Sequence, residues 1–223
     1  MKMKNRLLIF DLDGTIADTL PSIAEAINMC ASHFGYPQKS EDEVRLAVGN
    51  GVGVLLQKTM PESEMADPDK CAKIKEYFAE CYEITQAKVD TAYSGMAELM
   101  RKLYSKGYIL AVLSNKPDNL VKMIVNNIFF DGIISEAMGQ TDLPKKPDPT
   151  VPIMIAEKFG VRPEDTYFIG DSEVDVLTGK NAGMITLAVS WGFRDRCVLE
   201  EASPDFLFDT REELLNYFLN ITN

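Results

Sequence analysis

The chain has 223 residues, a formal net charge of −11 and a 46% hydrophobic share. That is enough apolar material for one large domain or a domain with a smaller companion. The negative field argues against nucleic acid or an anionic membrane as partner, and no apolar run approaches the roughly 20 residues of a membrane span. A phosphate-bearing substrate would have to be drawn in by local positive groups, against that field.

The start, Met1-Lys2-Met3-Lys4-Asn5-Arg6, mimics the basic end of a secretion signal. Asp11 and Asp13 interrupt the apolar stretch behind it too early, so the expected setting is cytoplasmic. Cys30, Cys71, Cys81 and Cys197 form no Cys-x-x-Cys pair, and His33 is the only histidine. Neither a zinc site nor a disulfide framework is expected. Cys30 falls on an apolar helical stripe and reads as a buried thiol.

Leu7-Leu8-Ile9-Phe10 reads as a strand buried on both faces, ended by Asp11-Leu12-Asp13-Gly14-Thr15. A polar break follows, then a helix with Ile23, Ile27, Cys30 and Phe34 spaced by four, three and four, closed by Gly35 and Pro37. His33 lies beside that stripe, near the helix end. Glu41 to Val48 predicts a short helix, and Gly49-Asn50-Gly51-Val52-Gly53 a flexible loop opening another. It is no dinucleotide fingerprint, because position 54 is Val and no strand precedes it. Pro61 to Asp69 reads as a polar connection. Lys70 to Lys88 reads as one helix with Ile74, Phe78, Cys81 and Ile84 on one face.

From Ser94 onward strands and helices alternate. Met96, Leu99, Met100, Leu103 and Tyr104 form a helix stripe closed by Gly107. Tyr108 to Leu113 is a second buried strand, ending in Ser114-Asn115-Lys116, with Pro117 opening a helix that carries Leu120, Ile124 and Ile128. Gly132-Ile133-Ile134 predicts a third strand and Gly139 to Pro149 a loop. Ile153 to Phe159 is helix. Thr166 to Ile169 is a fourth strand, followed by Gly170-Asp171-Ser172-Glu173-Val174-Asp175. Val174 to Ala182 is helix, Met184 to Val189 a fifth strand, and Phe206-Leu207-Phe208 a sixth. Thr210 with Glu213 forms a capping box for a last helix bearing Leu214, Leu215 and Phe218. The helical stretch from Pro21 to Val89 thus interrupts an α/β domain after its first strand.

Chemistry in open α/β sheets gathers beyond the carboxyl ends of the strands. Asp11 and Asp13, Ser114 to Lys116, and Asp171 and Asp175 all follow predicted strands, and Lys146 sits in a proline-stiffened loop able to reach them. Carboxylates brought that close need a hard cation between them, and oxygen ligands suit Mg²⁺. An aspartate can also carry a phosphoryl group. The set as a whole fits phosphoryl transfer. Taken singly, Lys116 reads as a surface charge at a helix end, Lys145 as solvated and Asp148 as a residue ordering its loop. Trp191-Gly192-Phe193 reads as a packing corner.

Four segments in this order resemble the haloacid dehalogenase superfamily: Asp11-Leu12-Asp13-Gly14-Thr15, Ser114-Asn115-Lys116, Lys146-Pro147-Asp148-Pro149 and Gly170-Asp171-Ser172-Glu173-Val174-Asp175. The helical insertion, with Asp18-Thr19-Leu20-Pro21 and Tyr93-Ser94-Gly95 at its flanks, is similar to the cap of the subgroup that includes phosphoglycolate phosphatases. The resemblance implies a doubly wound, mostly parallel α/β core over residues 1–17 and 91–223, with a helical cap over 18–90. It implies Asp11 as nucleophile and Asp13 as acid and base. Asp11, the Asp13 carbonyl and Asp171 would hold Mg²⁺, with Asp175 behind them or acting through water. Ser114, Asn115 and Lys146 would hold the phosphoryl group. The implied activity is Mg²⁺-dependent hydrolysis of a small phosphorylated metabolite, phosphoglycolate first. Pyrophosphate, sugar phosphates and nucleotides stay open as substrates. A β-phosphoglucomutase-type mutase is the first alternative, although the His usual in that group is missing between Ile16 and Glu25. A dehalogenase is disfavoured because Asp13 is present, and a non-catalytic binding module because every matched position is filled. Monomer and homodimer stay open.

Overall fold

The structure, a computed structural model, describes residues 6–221. The lysine-rich start read above, up to Asn5, lies outside the described residues. Six parallel strands form one sheet in the order β3-β2-β1-β4-β5-β6. They are β1 (Leu7–Phe10), β2 (Ile109–Pro117), β3 (Ile134–Gln140), β4 (Thr166–Gly170), β5 (Ile185–Val189) and β6 (Phe206–Phe208). The chain leaves β1 for β2 and β3 on one side, then returns to place β4, β5 and β6 on the other. That reversal opens a crevice at the carboxyl end of β1, the usual ligand position of such sheets.

β1 shows why the sheet is covered on both faces. Its residues are completely buried. Leu8 and Phe10 pack with Met96, Leu99, Val121, Ile124, Leu214 and Phe218, which come from α6 (Met96–Ser105), α7 (Asp118–Ile128) and α11 (Arg211–Asn220). Leu7 and Ile9, pointing the other way, pack with Val151, Ile155 and Ala156 of α8 (Thr150–Lys158). α9 (Glu173–Asn181) and α10 (Arg196–Glu201) cover the β5 side of the same layer through Val176, Ala188 and Leu199.

Between β1 and α6 run α1 (Leu20–Phe34), α2 (Glu41–Arg45), α3 (Val52–Thr59), α4 (Glu62–Ala66) and α5 (Pro68–Gln86). They enclose their own apolar cluster, in which Ile23, Ile27, Cys30, Leu56, Ile74 and Phe78 meet and to which α7 adds Leu120. Phe78 is fully buried there and contributes about 2–3 kcal/mol by leaving water. α1 ends as its glycine dictates. Gly35 sits at φ 73°, and the Tyr36 N–H bonds the Ala31 carbonyl. No helix among the described residues is long and apolar enough to cross a membrane.

Several expectations move. β3 begins at Ile134, where the sequence suggested its end, and runs to Gln140. β2 continues through Ser114, Asn115 and Lys116 to Pro117, beyond the expected end at Leu113. The polar connection Pro61 to Asp69 holds α4, and Asp67 caps α5 by accepting from the N–H groups of Asp69 and Lys70. Ile84 and Tyr104, both assigned to buried stripes, are exposed. On α5 the buried face instead turns through Tyr82, Thr85 and Gln86. α10 carried no sequence signal.

Candidate active site

Asp11 continues the line of β1, its N–H donating to the Ile169 carbonyl of β4 at 2.8 Å. Its carboxylate is thereby fixed at the carboxyl edge of the central strand. The chain then turns tightly, the N–H groups of Ile16 and Ala17 both reaching the Leu12 carbonyl. Gly14 makes the turn possible. It sits at φ +82°, and a Cβ there would lie 2.3 Å from an oxygen of Asp171.

Around Asp11 the structure gathers three further groups from two other segments. Lys146 Nζ lies 2.8 Å from Asp11 Oδ1 and 2.6 Å from Asp175 Oδ1. One carboxylate oxygen each of Asp11, Asp171 and Asp175 falls within 4.8 Å of the others. Asp171 is aimed by the Thr15 hydroxyl, which donates to Oδ1 at 3.0 Å, and by the Phe193 N–H, which donates to Oδ2 at 2.7 Å. Asp175 is fixed by a capping box. Ser172 donates to its Oδ2 from both backbone N–H and hydroxyl, while the Asp175 N–H donates to the Ser172 oxygen.

The loop carrying Lys146 is held by Asn115, whose Oδ1 accepts from the Lys146 N–H at 2.9 Å and whose Nδ2 donates to the Lys146 carbonyl at 3.0 Å. Nδ2 also donates to the Gly49 carbonyl at 3.0 Å. The side-chain amide expected to touch phosphate is therefore committed to backbone groups. Ser114 lines the cleft, its oxygen accepting only from the Lys116 N–H at 3.3 Å.

A second cluster surrounds Asp13. Its Oδ1 accepts from the Thr19 hydroxyl at 2.6 Å and from Lys116 Nζ at 2.8 Å. Lys116 also donates to the Tyr82 hydroxyl of α5 at 2.8 Å. The surface charge read from the sequence is thus a fully buried ammonium in the cleft wall. The correction has a simple cause. β2 runs four residues further than expected, and strand alternation then puts Lys116 on the same face as Ser114.

Burial shapes the electrostatics. Desolvation pushes Asp11 up to about 7, with Asp175 and Asp13 adding repulsion and Lys146 opposing it. Asp171 is raised well above the ordinary carboxylate range, again by burial first and then by Asp175 and Asp11. Burial works against the Lys146 charge, but Asp11 and Asp175 more than offset it and raise its proton affinity. Asp11 Oδ1 is buried and accepts no aligned hydrogen bond, although Lys146 lies at ion-pair distance. Arg194 lines the same cleft but is paired with Glu173 at 2.9 Å, so among the described residues Asp11, Asp13, Asp171 and Asp175 are left with Lys116 and Lys146, a deficit that one divalent cation would cancel. The donor set is all oxygen, and Asp11, Asp171 and Asp175 could hold such an ion.

The cleft encloses about 570 Å³ including its open mouth. Ile23, Val48, Gly49, Val52, Leu55 and Tyr82 roof it. The roof is tied down: Arg194 donates to the carbonyls of Val48 at 2.7 Å and Arg45 at 3.2 Å, and Lys145 to that of Asn50 at 2.8 Å. In return Arg45 donates to the Phe193 carbonyl at 2.6 Å. The glycine-rich loop is therefore a clamped wall of the site. Lys145 is exposed but bonds the roof, and Asp148 accepts from the Thr150 N–H within its own loop. His33 stands outside, stacked on Tyr77 at 3.8 Å. All four cysteines are free thiols.

Sequence reasoning missed Lys116, Tyr82, Thr19 and the Phe193 N–H. Thr15, Thr19 and Tyr82 are ordinary residue types whose role appears only once distant segments meet. A backbone N–H carries no sequence signal at all. The corner Trp191-Gly192-Phe193 does pack, the indole donating to the Thr15 carbonyl at 3.1 Å, but it also aims Asp171.

Comparison with known proteins agrees with this fold. Residues 8–189 match the family described as haloacid dehalogenase-like hydrolase. A phosphoglycolate phosphatase of Vibrio cholerae serotype O1 is 33% identical over 219 residues, covering 96% of this chain and 97% of the relative. One of Haemophilus influenzae strain Rd is 31% identical over 222 residues, covering 97% and 99%. A solved structure of a predicted phosphoglycolate phosphatase from Haemophilus somnus superposes with a TM-score of 0.89 at 30% identity, covering 98% of this chain and all of that one. By sequence match and by fold, the chain belongs to the haloacid dehalogenase-like hydrolases.

Proposed function

We propose that the protein hydrolyses small phosphomonoesters, with phosphoglycolate as the leading substrate, through a phosphoryl group carried on Asp11. The observation that carries this reading is the Asp11 carboxylate held at the sheet edge between the Lys146 ammonium and two further carboxylates. Asp11 attacks phosphorus. Lys146 and the Ser114 hydroxyl hold the phosphoryl oxygens. Asp13, steadied by Thr19 and Lys116, protonates the leaving oxygen and then takes the proton of the water that releases phosphate. Asp175 keeps Lys146 in place.

Mg²⁺ is the proposed ion, held by Asp11, Asp171 and the Asp13 carbonyl, where it would supply the positive charge that four carboxylates and a phosphate require. The helices between β1 and α6 act as the cap, in the division 18–90 against 1–17 and 91–223. They exclude bulk water from the cleft. The names of the relatives support phosphoglycolate as substrate, and the free thiols support a cytoplasmic setting.

The test is a phosphomonoester panel assayed with Mg²⁺ on the wild type and on Asp11→Asn. Phosphate release by the wild type and a loss of about 10⁴-fold or more in the variant are expected. Near-normal turnover by Asp11→Asn would remove this mechanism.

A further inference from the structure

The Lys116–Tyr82 pair has donors left over. Lys116 is completely buried, yet it lines the cleft. Two of its three N–H groups go to Asp13 and Tyr82, and no acceptor among the described residues takes the third. The Tyr82 hydroxyl accepts from Lys116, and its own hydrogen likewise has no acceptor there. Tyr82 is itself buried and lines the same cleft. Two buried donors left open side by side are costly unless a ligand completes them.

Lys116 is an ammonium paired with the Asp13 carboxylate at 2.8 Å, and Tyr82 accepts from it as a phenol at 2.8 Å. The open valences are therefore those of a cation and a neutral hydroxyl, which together call for an anionic acceptor.

We propose that Lys116 and Tyr82 form the leaving-group subsite and bind a carboxylate borne on the carbon next to the ester oxygen. The inference rests on the phosphatase reading above and names the residues that choose its substrate. Position assigns the anion. Asp13 faces the leaving oxygen, and Lys116 Nζ lies 2.8 Å from Asp13 Oδ1, so a group one methylene beyond that oxygen arrives at the ammonium. The phosphoryl group is served on the other side by Lys146, which pairs with Asp11. Size follows from the wall. Ile23, Val52 and Leu55 offer a polyol no side-chain partner, which favours a short acid over a sugar. Balancing Asp13 alone would leave the Tyr82 hydroxyl unexplained, because Thr19 already orients that carboxylate. The ammonium also stands 4.7 Å over the Tyr82 ring, which fixes the two groups as a unit.

The test compares 2-phosphoglycolate with 2-hydroxyethyl phosphate, equal in length but with a neutral hydroxymethyl where the acid stood. The wild type is expected to favour the acid by about 10²–10³ in kcat/KM, less than the roughly 10⁴–10⁵ of a site left wholly unpaired, because the neutral hydroxyl still accepts one hydrogen bond. Lys116→Met should cut that ratio at least tenfold, chiefly through the KM of phosphoglycolate. Tyr82→Phe, which keeps the ring in the core, should cut it by about three- to tenfold. Should Lys116→Met fail to fold by circular dichroism, the Tyr82→Phe ratio decides in the same sense. A ratio unchanged in both variants, with both esters slowed alike, would overturn the proposal and leave Lys116 acting on Asp13 alone. A wild type that hydrolyses both esters equally well would also overturn it while the phosphatase reading stood. A wild type that hydrolyses no phosphomonoester would end both.

Discussion

Replacing Asp11 by Asn should make the metal-free protein more stable, not less. Burial and two neighbouring carboxylates push Asp11 from the ordinary aspartate range up to about 7, roughly three powers of ten in proton affinity. Each power of ten is about 1.4 kcal/mol, so the ionised carboxylate costs the fold about 4 kcal/mol above pH 7. The sign follows from proton binding. Below about pH 4 folded and unfolded chains both hold the proton, and nothing is lost. As pH rises to 7 the unfolded chain releases it while the folded chain resists, so the penalty grows and then levels off. Asn carries no such penalty, and Lys146 keeps Asp175 as its partner at 2.6 Å. Allowing for local relaxation, the gain should be about 2–4 kcal/mol at pH 8, or about 5–12 °C in Tm for a chain of this size. Thermal unfolding in chelator at pH 8 and pH 5 measures it, and the gain should shrink to less than half at pH 5. A variant no more stable than the wild type at pH 8 would refute the claim that the cluster is electrostatically frustrated.

Lys146→Met should do the opposite. It leaves Asp11 and Asp175 buried without their cation, which should cost about 3–5 kcal/mol in chelator by urea unfolding and lower kcat by 10³-fold or more. Gly14→Ala forces a Cβ to 2.3 Å from Asp171 Oδ2 at a φ of +82°. Mg²⁺ titration of its activity should show a rise of tenfold or more in the concentration needed, along with a loss of about 1–3 kcal/mol in stability.

What the sequence disclosed follows from where the information resides. β1 was legible because four apolar residues in a row, buried on both faces, can hardly be anything else. Asp11, Asp171, Asp175 and Lys146 were legible because each follows a strand or sits in a loop that proline stiffens. The capping box of α11 appeared where Thr210 and Glu213 announced it. Lys116 was misread because one boundary, the end of β2, was set four residues short. In a strand that error turns a wall residue into a surface one. Ile84 failed for the matching reason on a helix. Its spacing from Cys81 fits a stripe, but α5 rotates its buried face through Tyr82 and Thr85. Asn115 showed its position but not its occupation, since hydrogen bonds to Gly49 and Lys146 depend on loops distant in the chain. The clamp by Arg194 and Arg45 on opposite carbonyls had no local signal at all.

The cleft divides into two halves with different sources. The Asp11 half, with Lys146, Asp171 and Asp175, is built wholly from segments that follow the strands of the sheet. The Asp13 half is shared. Lys116 comes from β2, whereas Thr19 stands at the entry to α1 and Tyr82 on α5. On the proposed reading, the sheet would hold the group that takes phosphorus, and the helices between β1 and α6 would complete the surroundings of the group that departs. The roof residues Ile23, Leu55 and Tyr82 come from α1, α3 and α5, whereas Asp11, Asp171 and Asp175 all follow strands of the sheet. On that reading, substrate choice and phosphoryl chemistry would be physically separable in this chain. They meet only at Asp13, where a core ammonium and a hydroxyl from the insertion bind the same carboxylate oxygen.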